Sequence, residues 1–256
     1  MEIHFIGVAG GREAMAKQYP GHGTGGFIIK GSLNIYVDPG PGALVKSRMF
    51  GEKLEDIDIV FVSHYHIDHA NDVQPLAEAI NMYGFKKKAI LIASKSVLFG
   101  GPLGDGKISE YHKSMFKEVI LAKAGETVKI GENTKMKFTK TMHDDETTVG
   151  FVLNMDGKRI GYTSDTEYFD SLCEEFRHEQ LDLLIINIIK PKKDMYKHMD
   201  LETGIEVIKC IKPKKAYIYH LGGKMILGDK EKMEKFCREK SEVICQIGRD
   251  NEVMNI

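Results

Sequence analysis

The 256-residue sequence predicts an α/β fold, an αββα four-layer sandwich occupying residues 1–256 as a single domain. Two features carry that expectation. Short runs rich in β-branched and aromatic residues recur along the whole chain and alternate with stretches of helical period, with no linker or low-complexity segment between them. Two segments also echo one another. DIDIVFVSHYHIDH (56–69) reads as an apolar strand, a histidine-bearing loop and a helix start. LDLLIINIIKPKKDMYKHMDLETGIEVI (181–208) repeats the plan with a longer loop that carries His198. Ahead of each lies a strand ending in aspartate, NIYVDPG (34–40) and RIGYTSDT (159–166). The repetition suggests a duplicated unit: two sheets packed face to face, helices outside.

In chain order, strands are expected at 2–8, 26–30, 33–37, 58–62, 89–93, 117–121, 134–141, 148–155, 158–163, 182–189, 215–219 and 242–246. Asp156-Gly157 is a two-residue hairpin signal, because both residues accept positive φ. Helices are expected at about 70–83, 167–177, 201–211 and 229–239. Asp165 and Thr166 precede the second as cap candidates, and Asp200 precedes the third.

Composition narrows the function. With 42% hydrophobic and 29% charged residues, the chain reads as a soluble globular protein rather than a disordered one. A net charge of −1 gives no general drive toward nucleic acid. No apolar run approaches the ~20 residues of a membrane helix, and residues 1–8 lack the basic start and cleavage site of a signal peptide. A cytoplasmic location is therefore expected. Cys173, Cys210, Cys237 and Cys245 have no zinc-ribbon spacing, so free thiols are expected.

The strongest signal is HYHIDH, which sets His64, His66, Asp68 and His69 at the end of the apolar run IVFVS. Three imidazoles and a carboxylate in six residues do not serve a hydrophobic core; they are ligands suited to zinc, iron and manganese. His64 and His66, two apart on an extended segment, project to one side and can share a metal. Asp68 and His69 lie past the turn, where they can face a second. Downstream, His143, Asp165 and His220 each sit where a strand run ends, in KFTKTMH, IGYTSD and AYIYH. Strand ends on one rim of a sheet are where side chains from distant segments converge.

HxHxDH followed by His, Asp and His resembles the metallo-β-lactamase fold superfamily, from the amino-terminal strand to His220. The resemblance implies one metal held by His64, His66 and His143 and a second by Asp68, His69 and His220, with Asp165 bridging. It places Asp38, in YVDPG, where the superfamily's early aspartate braces the ligand loop by hydrogen bonds. The implied cofactors are two divalent ions, Zn2+ first, with Mn2+ or Fe2+ as alternatives.

Fold does not name the substrate, but the ligand set prunes the branches. True β-lactamases of this fold replace the residue at position 69 or 165, and flavodiiron proteins have Glu at position 66. The chain keeps His69, Asp165 and His66. It is similar to transfer-RNA 3′-processing enzymes in HxHxDH, in the residues around Asp165 and in a histidine like His198. Those enzymes usually carry an RNA-gripping arm between the ligands corresponding to His143 and Asp165. Here residues 144–164 leave room only for a hairpin, which resembles the small cyclic-phosphodiesterase relatives. Asn71 and Asp72 stand where many relatives have glycines.

The implied activity is hydrolysis of a phosphodiester in a small or nucleotide-like substrate at a dinuclear site. Asp68 is the candidate holder of the nucleophile's proton, and His198 the candidate proton donor to the leaving oxygen. A lactonase or thioesterase, a mononuclear-iron dioxygenase and a non-enzymatic metal scaffold remain rival readings. The expected partner is a small or short phosphodiester substrate, with no membrane and no large nucleic acid; self-association is left open. Three features stay outside this scheme. The glycine-rich segment with Arg12, Lys17 and His22 reads as a flexible hairpin or a pocket floor, GGPLGDG (100–106) as a pocket rim, and Lys86–Lys88 as a solvated edge.

Overall fold

The computed structural model describes residues 1–102, 104–177, 180–192 and 196–256. They form two compact units. The first comprises Met1–Val8, Gly21–Lys123 and Arg249–Asn255; the second comprises Ala9–Pro20, Ala124–Gly248 and Ile256. In chain order the strands are β1 (Glu2–Gly7), β2 (Gly26–Lys30), β3 (Ile35–Val37), β4 (Ile59–Val62), β5 (Ile90–Ala93), β6 (Glu118–Leu121), β7 (Thr127–Ile130), β8 (Thr134–Lys140), β9 (Val149–Met155), β10 (Lys158–Tyr162), β11 (Leu183–Lys190), β12 (Met199–Asp200), β13 (Lys215–Tyr219), β14 (Ile244–Ile247) and β15 (Glu252–Asn255).

The first unit holds the sheet β15-β1-β2-β3-β4-β5-β6. Its β3, β4, β5 and β6 run parallel, in register Val37↔Phe61 and Val62↔Ala93. The apolar runs of these strands pack with Val73, Leu76, Ala77 and Ile80 of the helix Val73–Ile80 into a core that includes Ile28, Tyr36, Val60, Val62 and Leu91. The expected helix at 70–83 is broken, with one turn at Ile67–Ala70 and a second helix from Val73. Asn71 and Asp72 make the break. Asp72 Oδ2 accepts the Leu44 N–H at 3.2 Å and Asp72 N–H reaches Pro39 O at 2.9 Å. Asp72 thereby caps the helix Ala43–Met49, whose own N-cap, Gly42, has no side chain to do so.

The second unit holds the sheet β14-β13-β11-β10-β9-β8-β7, with β12 paired to β11. Here β9 and β10 form the hairpin expected at Asp156-Gly157, with Asp156 at φ 52° and Gly157 at φ 70°. The helix Leu201–Ile211 starts where the sequence places it. Asp200 Oδ1 accepts the Thr203 N–H at 2.8 Å and Thr203 Oγ1 accepts the Asp200 N–H at 3.1 Å, a reciprocal cap. The helix expected at 167–177 begins only at Leu172, so Asp165 and Thr166 cap nothing. Thr166 Oγ1 instead accepts the Met142 N–H at 2.9 Å and ties two strand ends together.

The expectation of four free thiols is corrected. Cys173 and Cys210, on the helices Leu172–Arg177 and Leu201–Ile211, are joined by a disulfide with Cα atoms 6.2 Å apart. Cys237 and Cys245 are free and buried. Among the described residues, no helix is long and apolar enough to cross a membrane.

Candidate metal centre

In the first unit β3 and β4 are parallel neighbours, so their carboxyl ends lie side by side. Asp38 follows β3 at φ 49°, a left-handed conformation that aspartate tolerates better than most residues. Its carboxylate is the hub of the histidine loop. Oδ1 accepts the Ser63 N–H at 2.7 Å; Oδ2 accepts the Ser63 hydroxyl at 2.7 Å and His69 Nδ1–H at 3.0 Å. Because the Ser63 hydroxyl donates to Asp38, its oxygen accepts from His64 Nδ1 at 3.0 Å. These bonds fix both tautomers and make Nε2 the lone-pair nitrogen of His64 and of His69. His64 Nε2 faces His66 Nδ1 at 3.0 Å, and His69 Nε2 stands 3.6 Å from Asp68 Oδ2. Two donors on one tetrahedral ion with ~2.0–2.1 Å bonds are about 3.3 Å apart. Asp68, His64 and His69 are all buried. Gly40 makes the packing possible: a Cβ there would sit 2.0 Å from Asp68 O and 2.1 Å from Thr24 O.

In the second unit, β8 and β10 are both antiparallel to β9, while β11 and β13 are parallel to β10. The carboxyl ends of β8, β10, β11 and β13 therefore share one edge of the sheet. His143, Asp165 and His220 follow three of those ends. His143 donates Nδ1–H to Lys197 O at 3.1 Å, which again makes Nε2 the lone-pair nitrogen. Asp165 lies at the centre: Oδ1 is 3.3 Å from His220 Nε2, and Oδ2 is 3.7 Å from His143 Nε2 and 3.8 Å from His198 Nδ1. The ligand atoms of Asp165, His198 and His220 lie within 4.8 Å of one another. His198 stacks on His220 at 5.6 Å and meets His143 edge-on at 4.9 Å. With its side chain 16% exposed, it is the accessible member of this group.

Ser164 at φ 54° and His220 at φ 61° are also left-handed. Such conformations cost about 1–3 kcal/mol each and gather at functional sites. The approach of Gly10 to His220 is as demanding. A Cβ on Gly10 would lie 2.1 Å from His220 Cδ2, while the Gly10 N–H bonds to Leu221 O at 3.1 Å.

Sequence reasoning missed four members: Ser63, Gly10, the Lys197 carbonyl and Asn187. Asn187 Nδ2 donates to Asp165 Oδ1 at 2.8 Å. Its signal was present as a lone amide in the apolar run LLIINII; a backbone carbonyl such as that of Lys197 has no sequence signature. Gly11–Lys17 is a helix and not a hairpin, with Arg12 exposed and Lys17 bonded to Glu13 at 2.6 Å. His22 is half-buried. From the 100–106 loop, Asp105 and Gly106 line a cavity of about 500 Å³ with Phe99, Lys107 and Lys113; Leu103 lies outside the described residues, as do 193–195 of the longer histidine loop. Lys107 Nζ sits 5.6 Å over the Tyr65 ring, beside the histidine loop. Lys86, Lys87 and Lys88 are exposed.

The donor chemistry fits divalent metal: imidazoles, of which His64, His69 and His143 have Nδ1 committed to an oxygen, carboxylates beside them, and no thiolate. A family profile described as a beta-lactamase superfamily domain matches residues 33–221, and the chain belongs to that superfamily. Among curated relatives, it is 35% identical over 229 residues to the uncharacterised protein MJ1374 of Methanocaldococcus jannaschii, covering 88% of this chain and 84% of that one. It is 28% identical over 211 residues to a protein of Thermoplasma volcanium named UPF0173 metal-dependent hydrolase TV0864, covering 78% and 81%. The solved structure of YhfI from Bacillus subtilis, a metallo-beta-lactamase fold protein, superposes with a TM-score of 0.78 at 22% identity over 99% and 98% of the two chains. A diphosphatase of the PhnP family shares the fold at a TM-score of 0.69 and 15% identity, over 99% and 97%. The α/β fold class expected from the sequence is borne out, with two mixed sheets and their helices.

Proposed function

We propose that this metal-dependent hydrolase of the β-lactamase superfamily cleaves a phosphodiester in a small or nucleotide-like substrate. One observation carries the dinuclear form of that reading. The two oxygens of Asp165 face different imidazoles, Oδ1 that of His220 and Oδ2 that of His143, as a carboxylate shared by two ions requires. His64, His66 and His143 would hold one ion, and Asp68, His69 and His220 the other, with Asp165 shared between them. Zinc suits these nitrogen and oxygen donors. Bound there, the ions would supply Lewis acidity toward water and toward the phosphoryl oxygens.

The chain's own residues do the rest. Asp38 and Lys197 O hold the imidazoles of His69 and His143 in the ligating tautomer. Asp68 takes the proton of the attacking water. His198, the accessible imidazole of the cluster, gives a proton to the leaving oxygen from Nε2, because Nδ1 is turned toward Asp165. The segment between His143 and Asp165 is filled by β9, β10 and their turn, with no arm to grip a long polymer. We therefore propose a small or short substrate and no role on membranes or large nucleic acids.

The test is a panel of bis-nitrophenyl phosphate, cyclic nucleotides, a lactone and a thioester, run on zinc- and manganese-loaded protein with chelated protein as control. Metal-dependent turnover of the phosphodiesters, well above that of the lactone and thioester, is the expected result. Turnover confined to the carboxyl esters overturns the phosphodiester assignment.

A further inference from the structure

We propose that Asn187 is a positioning residue that orients the shared carboxylate toward one metal position only, the His220 side. The proposal rests on the dinuclear reading above and concerns how its two positions differ.

Asn187 lies three residues before the end of β11, is 2% exposed, and pairs in register with Tyr219, the residue before His220. Its backbone N–H donates to Thr163 Oγ1 at 3.0 Å, so strand and site are linked through the main chain. The side chain makes a separate connection: Nδ2 donates to Asp165 Oδ1 at 2.8 Å and lies 3.4 Å from the Tyr162 hydroxyl. The carbonyl oxygen Oδ1 of Asn187 is buried with no hydrogen-bond partner. Turning the amide over would set that oxygen against an acceptor-only carboxylate, so the amide is held with its donor on Asp165 while its acceptor goes unsatisfied.

The consequence is asymmetric. The amide contacts Oδ1, the oxygen 3.3 Å from His220 Nε2, and not Oδ2, which stands 3.7 Å from His143 Nε2 and 3.8 Å from His198 Nδ1. A donor on Oδ1 removes rotation of the carboxylate about its Cβ–Cγ bond and fixes the lone pair directed at the His220 side. Partners that orient ligands in this way are worth about 10–100-fold in metal affinity. Asn187→Leu keeps the branching at Cγ and the backbone bond to Thr163 but cannot donate; Asn187→Ser is smaller and too short to reach Asp165.

The experiment is a Co2+ titration of metal-free protein read by visible absorption, with the melting temperature of the metal-free form measured alongside. Wild-type protein should bind two equivalents. Both variants should keep the metal-free melting temperature within a few degrees, bind one equivalent with wild-type affinity, and bind the other about 10–100-fold more weakly. Added to His220→Ala, Asn187→Leu should have no further effect, whereas added to His143→Ala it should weaken the remaining ion. Two equivalents bound by the variants with wild-type affinities overturn the role of Asn187 alone. So does an equal loss at both positions accompanied by a fall in metal-free stability, which marks a merely structural residue. A wild type that binds one equivalent refutes the dinuclear reading, and this proposal with it.

Discussion

Asp38→Asn isolates one charge at the base of the histidine loop. Asparagine matches aspartate in size and tolerates the φ of 49° at this position, so the backbone has no reason to move. The Ser63 N–H, a fixed donor 2.7 Å from Oδ1, requires the amide oxygen in that place. The NH2 group then occupies the place of Oδ2, where the Ser63 hydroxyl and His69 Nδ1–H both donate. The hydroxyl can rotate and accept. His69 cannot keep its proton on Nδ1 facing another donor, so the proton moves to Nε2, the nitrogen a metal needs. A hydrogen bond to a charged partner is worth about 1.5–3 kcal/mol. At about 1.4 kcal/mol per tenfold, metal affinity on the His69 side should fall roughly 10–150-fold. Chelator-competition titration at pH 7 reads the affinity, and thermal unfolding of the metal-free protein checks the fold. Affinity within twofold of wild type, with the fold intact, would refute the tautomer argument.

Other outcomes follow from the same geometry. Gly10→Ala should displace the His220 ring and lower metal occupancy, because the new methyl would lie 2.1 Å from Cδ2; full occupancy by elemental analysis would show that the ring has room to yield. His198→Ala should lower kcat by about 10²–10⁴ on an alkyl leaving group and much less on nitrophenolate, with bound metal unchanged. Loss of metal, or an equal drop on both substrates, counts against the proton-donor role. Burial pushes the Cys237 thiol up to about 12 and raises that of Cys245, so neither is a thiolate at neutral pH. Native protein without reductant should be inert to a thiol reagent and show two thiols on unfolding, the other pair being joined. Rapid native labelling, or four thiols on unfolding, contradicts this.

What the sequence disclosed follows the reach of its physics. HYHIDH was legible because three imidazoles beside an apolar strand have no other economical use. The strand ends at His143, Asp165 and His220 were legible because each of these residues comes within three positions of the end of a strand run. Local rules also placed the Asp200 cap and the Asp156-Gly157 turn, since both depend on neighbours in sequence. The misses are products of distance. Asp72 interrupts a helix to cap another that starts 29 residues earlier, at Ala43, and no local pattern contains that trade. Cys173 and Cys210, 37 residues apart, meet because their helices do. β7 and β15 are strands of four residues, each with a single buried side chain, so too little apolar pattern marks them in the sequence. Asn187 is a lone amide in an apolar run, and only the strand register sets it beside Tyr219 with its amide on Asp165.

In the proposed dinuclear centre, His64, His66, Asp68, His69, His143, Asp165 and His220 would hold two ions, with Asp165 shared. Anomalous diffraction at the zinc edge from crystals of metal-loaded protein tests it directly. Two peaks about 3.5–4 Å apart are expected, each within bonding distance of an Asp165 oxygen. A single peak, or two peaks with Asp68, His69 and His220 turned away from the second, would contradict it.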